Sequence, residues 1–266
     1  MKAYEEASEQ VLPARLPVAV RLDGNSFSKW TKVMNLEKPF DDRMVKWMGA
    51  ACEALIRYCS GCELVYTQSD EITLLLRNDQ TFDTDPFLSG RTQKLASLLA
   101  SVCSVAFNEA VWKDVPTAPL AHFDARVYVI PPGEINNVFL WRQQDAFKNC
   151  ISAFAYWKLT EKLGKSTALK LMHGKTTAER QELIFQELGV NPNDIPTRFK
   201  RGFCVYRRKV EVPLVDTIPS ARYATLLAAG RVSPGQTVAR WEYVHDYEIP
   251  VFSCIVTGKQ IGRAHV

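Results

Sequence analysis

Pro17-Val18-Ala19-Val20-Arg21-Leu22-Asp23-Gly24 and Gln68-Ser69-Asp70-Glu71-Ile72-Thr73-Leu74-Leu75-Leu76 decide the reading of this chain. The first is an apolar run that stops at an Asp-Gly pair; the second is an apolar run that starts just after two acids. Each therefore puts a carboxylate at the end of a strand. Paired strands lie about 4.8 Å apart. If these two pair, Asp23 and Asp70 come within reach of shared cations. Two divalent ions about 3.5–4 Å apart clamp the oxygens of phosphoryl and nucleotidyl transfer. A nucleotide-handling enzyme is the first expectation.

The pattern on either side supplies the fold class. Met1 to Pro13 reads as a helix leading into the first strand. Met44, Val45, Met48, Ala51, Cys52, Leu55 and Ile56 recur at helical spacing through 41–59, and Asp41 or Asp42 suits the N-cap. Glu63–Thr67 and Ile72–Leu76 read as a hairpin. Leu88–Trp112 reads as a long buried helix, Phe123–Ile130 as a strand closed by Pro131-Pro132-Gly133, and Glu134–Leu163 as mostly helix. The order is β-α-β-β-α-β. It predicts an α+β fold with a palm-like, ferredoxin-like antiparallel sheet and helices on one face. Beyond Leu163 a smaller helical and loop-rich region is expected. It has short helices over 166–173 and 177–188, a loop over 189–201 and strand character over 203–212. Residues 1–133 are expected to form the catalytic region with the metal and nucleotide site, and 134–260 to continue the same unit.

Composition constrains less. The chain has 266 residues, is 47% hydrophobic and carries a net charge of +4, enough for a sizeable core and compatible with a polyanionic partner without requiring one. The start is polar and acidic, so no signal peptide is expected. No apolar stretch is read as approaching the roughly 20 residues of a bilayer span. Seven scattered cysteines read as reduced and mostly buried, in a cytoplasmic protein. Ile261-Gly262-Arg263-Ala264-His265-Val266 is the translation of a common sequencing adapter. Residues 261–266 are therefore expected to be an artefact, and sequencing the source gene tests this.

Seven segments occur in order: Arg21-Leu22-Asp23-Gly24, Lys38-Pro39, Gln68-Ser69-Asp70-Glu71, Phe123-Asp124-Ala125-Arg126, Trp141-Arg142-Gln143-Gln144-Asp145-Ala146, His173-Gly174-Lys175 and Lys200-Arg201-Gly202. In them the chain resembles the tRNA-histidine guanylyltransferase family, and in particular its Thg1-like bacterial and phage branch of 3′–5′ polymerases. The resemblance implies an enzyme that adds nucleotides to the 5′ end of tRNA or tRNA-like RNA, using ATP or GTP and two Mg²⁺ ions. A 5′-monophosphate end is first activated by ATP; the 3′-hydroxyl of the incoming nucleotide then attacks and AMP leaves.

Carried over by position, Asp23, Asp70 and Glu71 resemble the catalytic carboxylates, with Asp23, Asp70 and the Gly24 carbonyl as metal ligands. Asp23, Gly24, Asn25, Ser26, Phe27, Ser28, Lys38, Ser69 and Asp70 resemble the nucleotide-binding set. Arg126, Arg142, Asp145, Asn149, His173, Lys175, Lys200 and Arg201 are candidate RNA or triphosphate contacts. The resemblance also implies a homo-oligomer, a tetramer. Phe147 stands where the eukaryotic branch has a histidine, and Asn25 and Ser28 stand where Arg and His are common. These departures point to template-dependent 5′-end repair rather than dedicated tRNA-histidine recognition.

The residues alone leave other readings open. Asp23-Gly24 also suits a plain turn, Arg142 and Asp145 a surface pair at i,i+3, and Asp124 with Arg126 a structural ion pair. Trp141 is read as core. Arg198, Lys200, Arg201, Arg207, Arg208 and Lys209 form the densest basic region, suited to an RNA backbone. The alternative functions are a palm-fold nucleotide cyclase and a non-catalytic RNA- or nucleotide-binding module.

Overall fold

Val18, Ala19, Val20 and Leu22 are all buried, which no single-faced strand would require; this strand runs through the middle of a sheet. The structure is a computed structural model that describes residues 1–81, 83–249, 254–256 and 259–261. The expected adapter stretch from 262 onward lies outside them. In chain order the main elements are α1 (Lys2–Glu6), β1 (Val18–Gly24), α2 (Phe27–Val33), α3 (Asp42–Tyr58), β2 (Cys62–Gln68), β3 (Glu71–Leu76), α4 (Thr92–Asp114) and β4 (Phe123–Val129). They continue with α5 (Ile135–Leu163), α6 (Lys165–Met172), α7 (Thr177–Leu188), α8 (Thr197–Lys200), β5 (Phe203–Pro213), α9 (Ser220–Ala228) and β6 (Thr237–Asp246). The sheet order is β4-β1-β3-β2-β5-β6, and β1/β3, β1/β4 and β2/β3 are antiparallel. The α+β class and the palm-like order therefore stand.

Register assigns the two faces. Val18, Val20 and Leu22 lie opposite Leu76, Leu74 and Ile72. Alternation puts these six on one face, where α3 and α4 cover them. Phe27, Trp30, Trp47, Phe107 and Phe123 fill the space below, with Phe27 and Phe123 centroids 5.0 Å apart and Trp30 and Phe107 5.4 Å apart. Each such side chain contributes roughly 1.5–3 kcal/mol on burial. Asp41 caps α3, its Oδ1 accepting the Arg43 N–H at 2.9 Å. The other sheet face carries Arg21, Asp23, Glu71, Thr73 and Tyr66. It is met by α5, whose Phe139 packs on Tyr66 and whose Arg142 reaches Glu71. Helices thus line both faces, with α5 adding a layer to the expected arrangement.

Three local expectations change. The N-terminal helix ends at Glu6, because the chain then bonds to the α4 entry: Leu12 N–H to Gly90 O and Thr92 N–H to Gln10 O, both 2.9 Å. The helix expected from Leu88 starts at Thr92, since Leu88 and Ser89 adopt φ of 51° and 56°. With 23 residues, α4 is long and apolar enough to cross a bilayer by length and composition, contrary to the sequence reading. Its Leu95, Leu99, Cys103, Phe107 and Val111 are buried, and it packs on α3 and β4.

A second core, of Ile151, Ala155, Leu159, Ala168, Met172, Leu183 and Ile184, joins α5, α6 and α7. Cys52, Cys59, Cys62, Cys103, Cys150 and Cys204 are buried thiols outside any disulfide, as expected. The chain divides into two compact units. One holds residues up to Val205 together with those from His245 on. The other is Tyr206–Val244.

Candidate active site

Strand register lines up the acids. Asp23 on β1 lies opposite Asp124 on β4 and Glu71 on β3, so three carboxylates from three adjacent strands share one row and one face. The next row holds Arg126, Arg21 and Thr73. Asp70 occupies the two-residue β2–β3 turn with Ser69, which takes a left-handed φ of 52°. The Gly24 N–H donates to the Asp70 carbonyl at 3.1 Å, and the Asn25 N–H to the His122 carbonyl at 2.8 Å. These bonds hold the end of β1 against the hairpin, so Asp23 and Asp70 are neighbours, as the paired apolar runs predict. A Cβ at Gly24 would lie 2.3 Å from the Phe27 ring, so only glycine lets α2 fold back this tightly.

The electrostatics are those of a cluster short of positive charge. Burial pushes the Asp70 carboxyl up, and the charges of Asp23 and Glu71 push it further; a 2.9 Å bond from Ser69 Oγ works against them. Glu71 is answered differently. Arg142 Nη1 donates to both its oxygens at 2.7 and 2.9 Å, and Nη2 reaches Asp145 at 3.3 Å. Arg142 is only 3% exposed. Its guanidinium stacks 3.7 Å from the Trp141 ring centroid, and Arg21 lies 6.0 Å away on the same indole. Trp141 is half exposed, contrary to the reading as core: it is a platform for two arginines. On this sheet face the Arg21 and Arg142 Nε, Thr73 Oγ1 and Tyr128 hydroxyl are buried with no protein hydrogen-bond partner among the described residues.

A cleft of about 380 Å³ opens beside Asp70. Ser28, Lys38, Ser69, Asp70 and Asn149 give it polar edges, and Phe27, Leu36, Met44, Met48 and Phe203 an apolar wall. The 37–41 loop forms one side and is held by Asp41, whose Oδ2 accepts the Glu37 N–H at 2.8 Å and Arg43 Nη2 at 2.7 Å. Burial alone would raise the Asp41 carboxyl; these hydrogen bonds outweigh it and hold it below the usual range. Phe40 stacks on Phe199 at 4.8 Å, and the Arg198 guanidinium lies 4.8 Å from the Phe199 ring. Lys38 is exposed, with Nζ 3.4 Å from Thr31 Oγ1.

Among the candidates, Asp23, Gly24, Phe27, Ser28, Lys38, Ser69, Asp70, Glu71, Arg142, Asp145 and Asn149 meet at the carboxylate row or the cleft. Asn25 and Ser26 sit on the exposed turn above, Ser26 Oγ bonding Asn25 Oδ1 at 3.1 Å. Arg126 is exposed beside Arg21 on the sheet. His173 and Lys175 follow the end of α6 and are not on the cleft wall. Lys200 is a correction: it is buried, its Nζ donates to the Asn193 carbonyl at 2.6 Å, and burial with the neighbouring Arg201 charge lowers its pKa. Arg201 uses its carbonyl to receive the Tyr66 hydroxyl at 2.6 Å. Of the rest of the basic region, Arg198 is paired with Asp42 at 2.8 Å, and Arg207, Arg208 and Lys209 belong to the second unit.

Sequence reasoning missed Arg21, Phe40, Asp41 and Phe199 as site residues. Arg21 had a signal, since it lies two residues before Asp23 and therefore shares its face. Phe40 and Phe199 meet across about 160 residues of chain, and no local pattern carries that contact.

The sequence pattern described as tRNAHis guanylyltransferase matches residues 1–131, and that described as the Thg1 C terminal domain matches residues 133–229. The chain is 30% identical over 223 residues to a tRNA(His) guanylyltransferase of Eremothecium gossypii, covering 80% of this chain and 91% of that protein. Two solved structures of bacterial tRNA(His) guanylyltransferase (Thg1)-like proteins are similar to it. The one in complex with ATP has a TM-score of 0.72 and 38% identity, over 77% of this chain and 86% of its own. The one in complex with GTP has a TM-score of 0.67 and 32% identity, over 94% and 91%.

Proposed function

The chain belongs to the tRNA(His) guanylyltransferase family and is a nucleotidyltransferase, and on that premise we propose that it adds nucleotides to the 5′ end of tRNA or tRNA-like RNA. Addition runs 3′–5′ and copies the opposite strand to repair the end. ATP and GTP are the substrates, and Asp23, Asp70 and the Gly24 carbonyl would hold two Mg²⁺ ions. The observation that carries this reading is the pairing of Asp23 and Asp70, fixed by the Gly24-to-Asp70 backbone bond, at the edge of a cleft with Lys38 on its rim.

The donor set fits magnesium. All the ligands are hard oxygens, and Asp70 is raised by burial and then by neighbouring negative charge, which a cation would relieve. Mg²⁺ usually keeps several waters and phosphate oxygens in its shell, so two carboxylates and a carbonyl suffice on the protein side. When bound, the ions would supply Lewis-acid activation of the attacking hydroxyl and neutralise charge on the transferred phosphoryl group.

The protein's own residues do the rest. The two-residue turn keeps Asp70 fixed. Arg142 neutralises Glu71, so this third carboxylate steadies the row without adding an unanswered charge. Lys38 brings an ammonium to the triphosphate, a flexible point charge suited to a moving anion. The wall of Phe27, Leu36 and Met48 excludes water from a bound base. Arg126, exposed beside Arg21 on the sheet face, suits phosphate oxygens there.

The test is extension of a tRNA lacking its 5′ nucleotide with labelled GTP, ATP and Mg²⁺, comparing wild type with Asp70→Ala. Templated 5′ extension lost in the variant is expected. Extension that persists in Asp70→Ala, or none from wild type, refutes the reading.

A further inference from the structure

The cleft wall supplied by α5 changes character along the helix. Ala146, Asn149, Cys150 and Ala153 line the cleft at the spacing of one helix face, and none is larger than asparagine. Trp157 follows four residues after Ala153, one turn further along that face. Its indole is 38% exposed. A large ring thus stands at the end of a stripe of small side chains, beside the 37–41 loop.

The indole meets Lys38. The ammonium lies 5.7 Å from the ring centroid, inside the roughly 6 Å over which a ring face attracts a cation. On its other contact, Nζ donates to Thr31 Oγ1 at 3.4 Å. These two contacts orient the ammonium without neutralising its charge, as a carboxylate partner would. Tyr156 braces the indole, with centroids 5.1 Å apart and ring planes at 74°. The backbone that carries Lys38 is held from the same side. Phe40 stacks on Phe199 of α8 at 4.8 Å and on Phe154 of α5 at 6.4 Å. Phe154 and Trp157 are three apart, so one side of α5 meets both the loop and the tip of its lysine. An exposed lysine gives up rotamer freedom when it grips an anion. A ring that already holds the ammonium removes part of that cost before the anion arrives.

We propose that Trp157 is a positioning residue: its ring face holds the Lys38 ammonium at the cleft rim, aimed at the triphosphate of a bound nucleotide. The proposal rests on the nucleotidyltransferase reading of this site and deepens it. Preference for a triphosphate over a monophosphate then depends on a side chain that does not itself touch the nucleotide.

Binding of ATP and of AMP to the full chain is measured by titration calorimetry with Mg²⁺ and without RNA. The proteins are wild type, Trp157→Leu, Trp157→Phe, Lys38→Gln and the Lys38→Gln/Trp157→Leu double variant. Trp157→Leu is expected to weaken ATP about two- to fivefold, the size of an exposed cation–π contact, with Phe restoring most of the loss. AMP affinity is expected to stay at the wild-type value, which also reports an intact site. In the Lys38→Gln background Trp157→Leu is expected to change ATP affinity no further. Wild-type ATP affinity in Trp157→Leu overturns the proposal, as does a loss that Phe does not relieve. Equal weakening of ATP and AMP, or an undiminished effect in the Lys38→Gln background, overturns it in favour of a ring that stacks on the nucleotide itself. Failure of wild type to extend RNA, with these binding results obtained, overturns the proposed function alone. Absence of ATP binding by wild type overturns both.

Discussion

Replacing Arg142 with Met should destabilise the fold by about 3–5 kcal/mol, the cost of leaving one member of a buried ion pair alone. The side chains of Arg142 and Glu71 are 4% and 12% exposed, and two hydrogen bonds at 2.7 and 2.9 Å join them. Methionine keeps most of the aliphatic volume, so the loss is electrostatic rather than a cavity. Glu71 would be left beside Asp23, its cross-strand partner, and Asp124 in the same row. Because the penalty is an uncompensated carboxylate, Glu71→Gln should recover much of it in the Arg142→Met background, although it destabilises the wild type. Urea unfolding of the four proteins, followed by far-ultraviolet circular dichroism without divalent ions, measures the coupling directly. A coupling of at least about 2 kcal/mol is expected. Additive effects, or an Arg142→Met variant within about 0.5 kcal/mol of wild type, would show that this pair does not organise the row.

Other outcomes follow from single observations. Gly202 has φ of +76° and an added Cβ would lie 2.2 Å from the Thr67 carbonyl, so Gly202→Ala should cost at least about 2 kcal/mol in the same urea assay; a neutral result would refute the close approach. Asp41 is held below the usual carboxylate range when folded, so as pH falls the unfolded chain takes up its proton first. Its stabilisation is therefore complete near neutrality and is lost as pH drops below about 5. The melting temperature of wild type should exceed that of Asp41→Asn at pH 7, with the gap closing towards pH 3; a constant gap would refute the assignment. Asp70 is raised by burial and by its acidic neighbours, so its charge opposes folding. Asp70→Asn should melt higher than wild type without divalent ions, and addition of Mg²⁺ should raise wild type more than the variant. A lower melting temperature for the variant would count against carboxylate crowding there.

How much of the site was legible depended on whether its parts lay on local patterns. The Asp23 and Asp70 pair did, because each closes a strand whose apolar run can be read, and register then follows from the buried face. The capping Asp41 was legible for the same reason, since α3 begins where its apolar periodicity begins. By contrast, α2 has seven residues, and no side chain caps it at Ser26; Phe27 and Trp30 hold it by packing into the aromatic core. Trp141 looked like core on composition, yet α5 turns it outward while burying Arg142 one position later. The reason is a partner 71 residues away, Glu71, that no helical pattern announces.

By itself the sequence determined the β-α-β-β-α-β order of the core, the antiparallel palm-like sheet, the family through motifs in fixed order, and the two carboxylates at strand ends. Those are consequences of period-2 and period-3.6 burial, which each segment carries internally. Tertiary structure alone decided that Glu71 is neutralised by Arg142, that Lys200 is spent on a carbonyl in the interior, and that Phe40 and Phe199 close one side of the cleft. It also decided that the Lys209 ammonium lies over the Trp241 ring. Charge and ring contacts are set by distance in space, and a cation's role turns on whether an acceptor arrives from a remote part of the chain before solvent or substrate does.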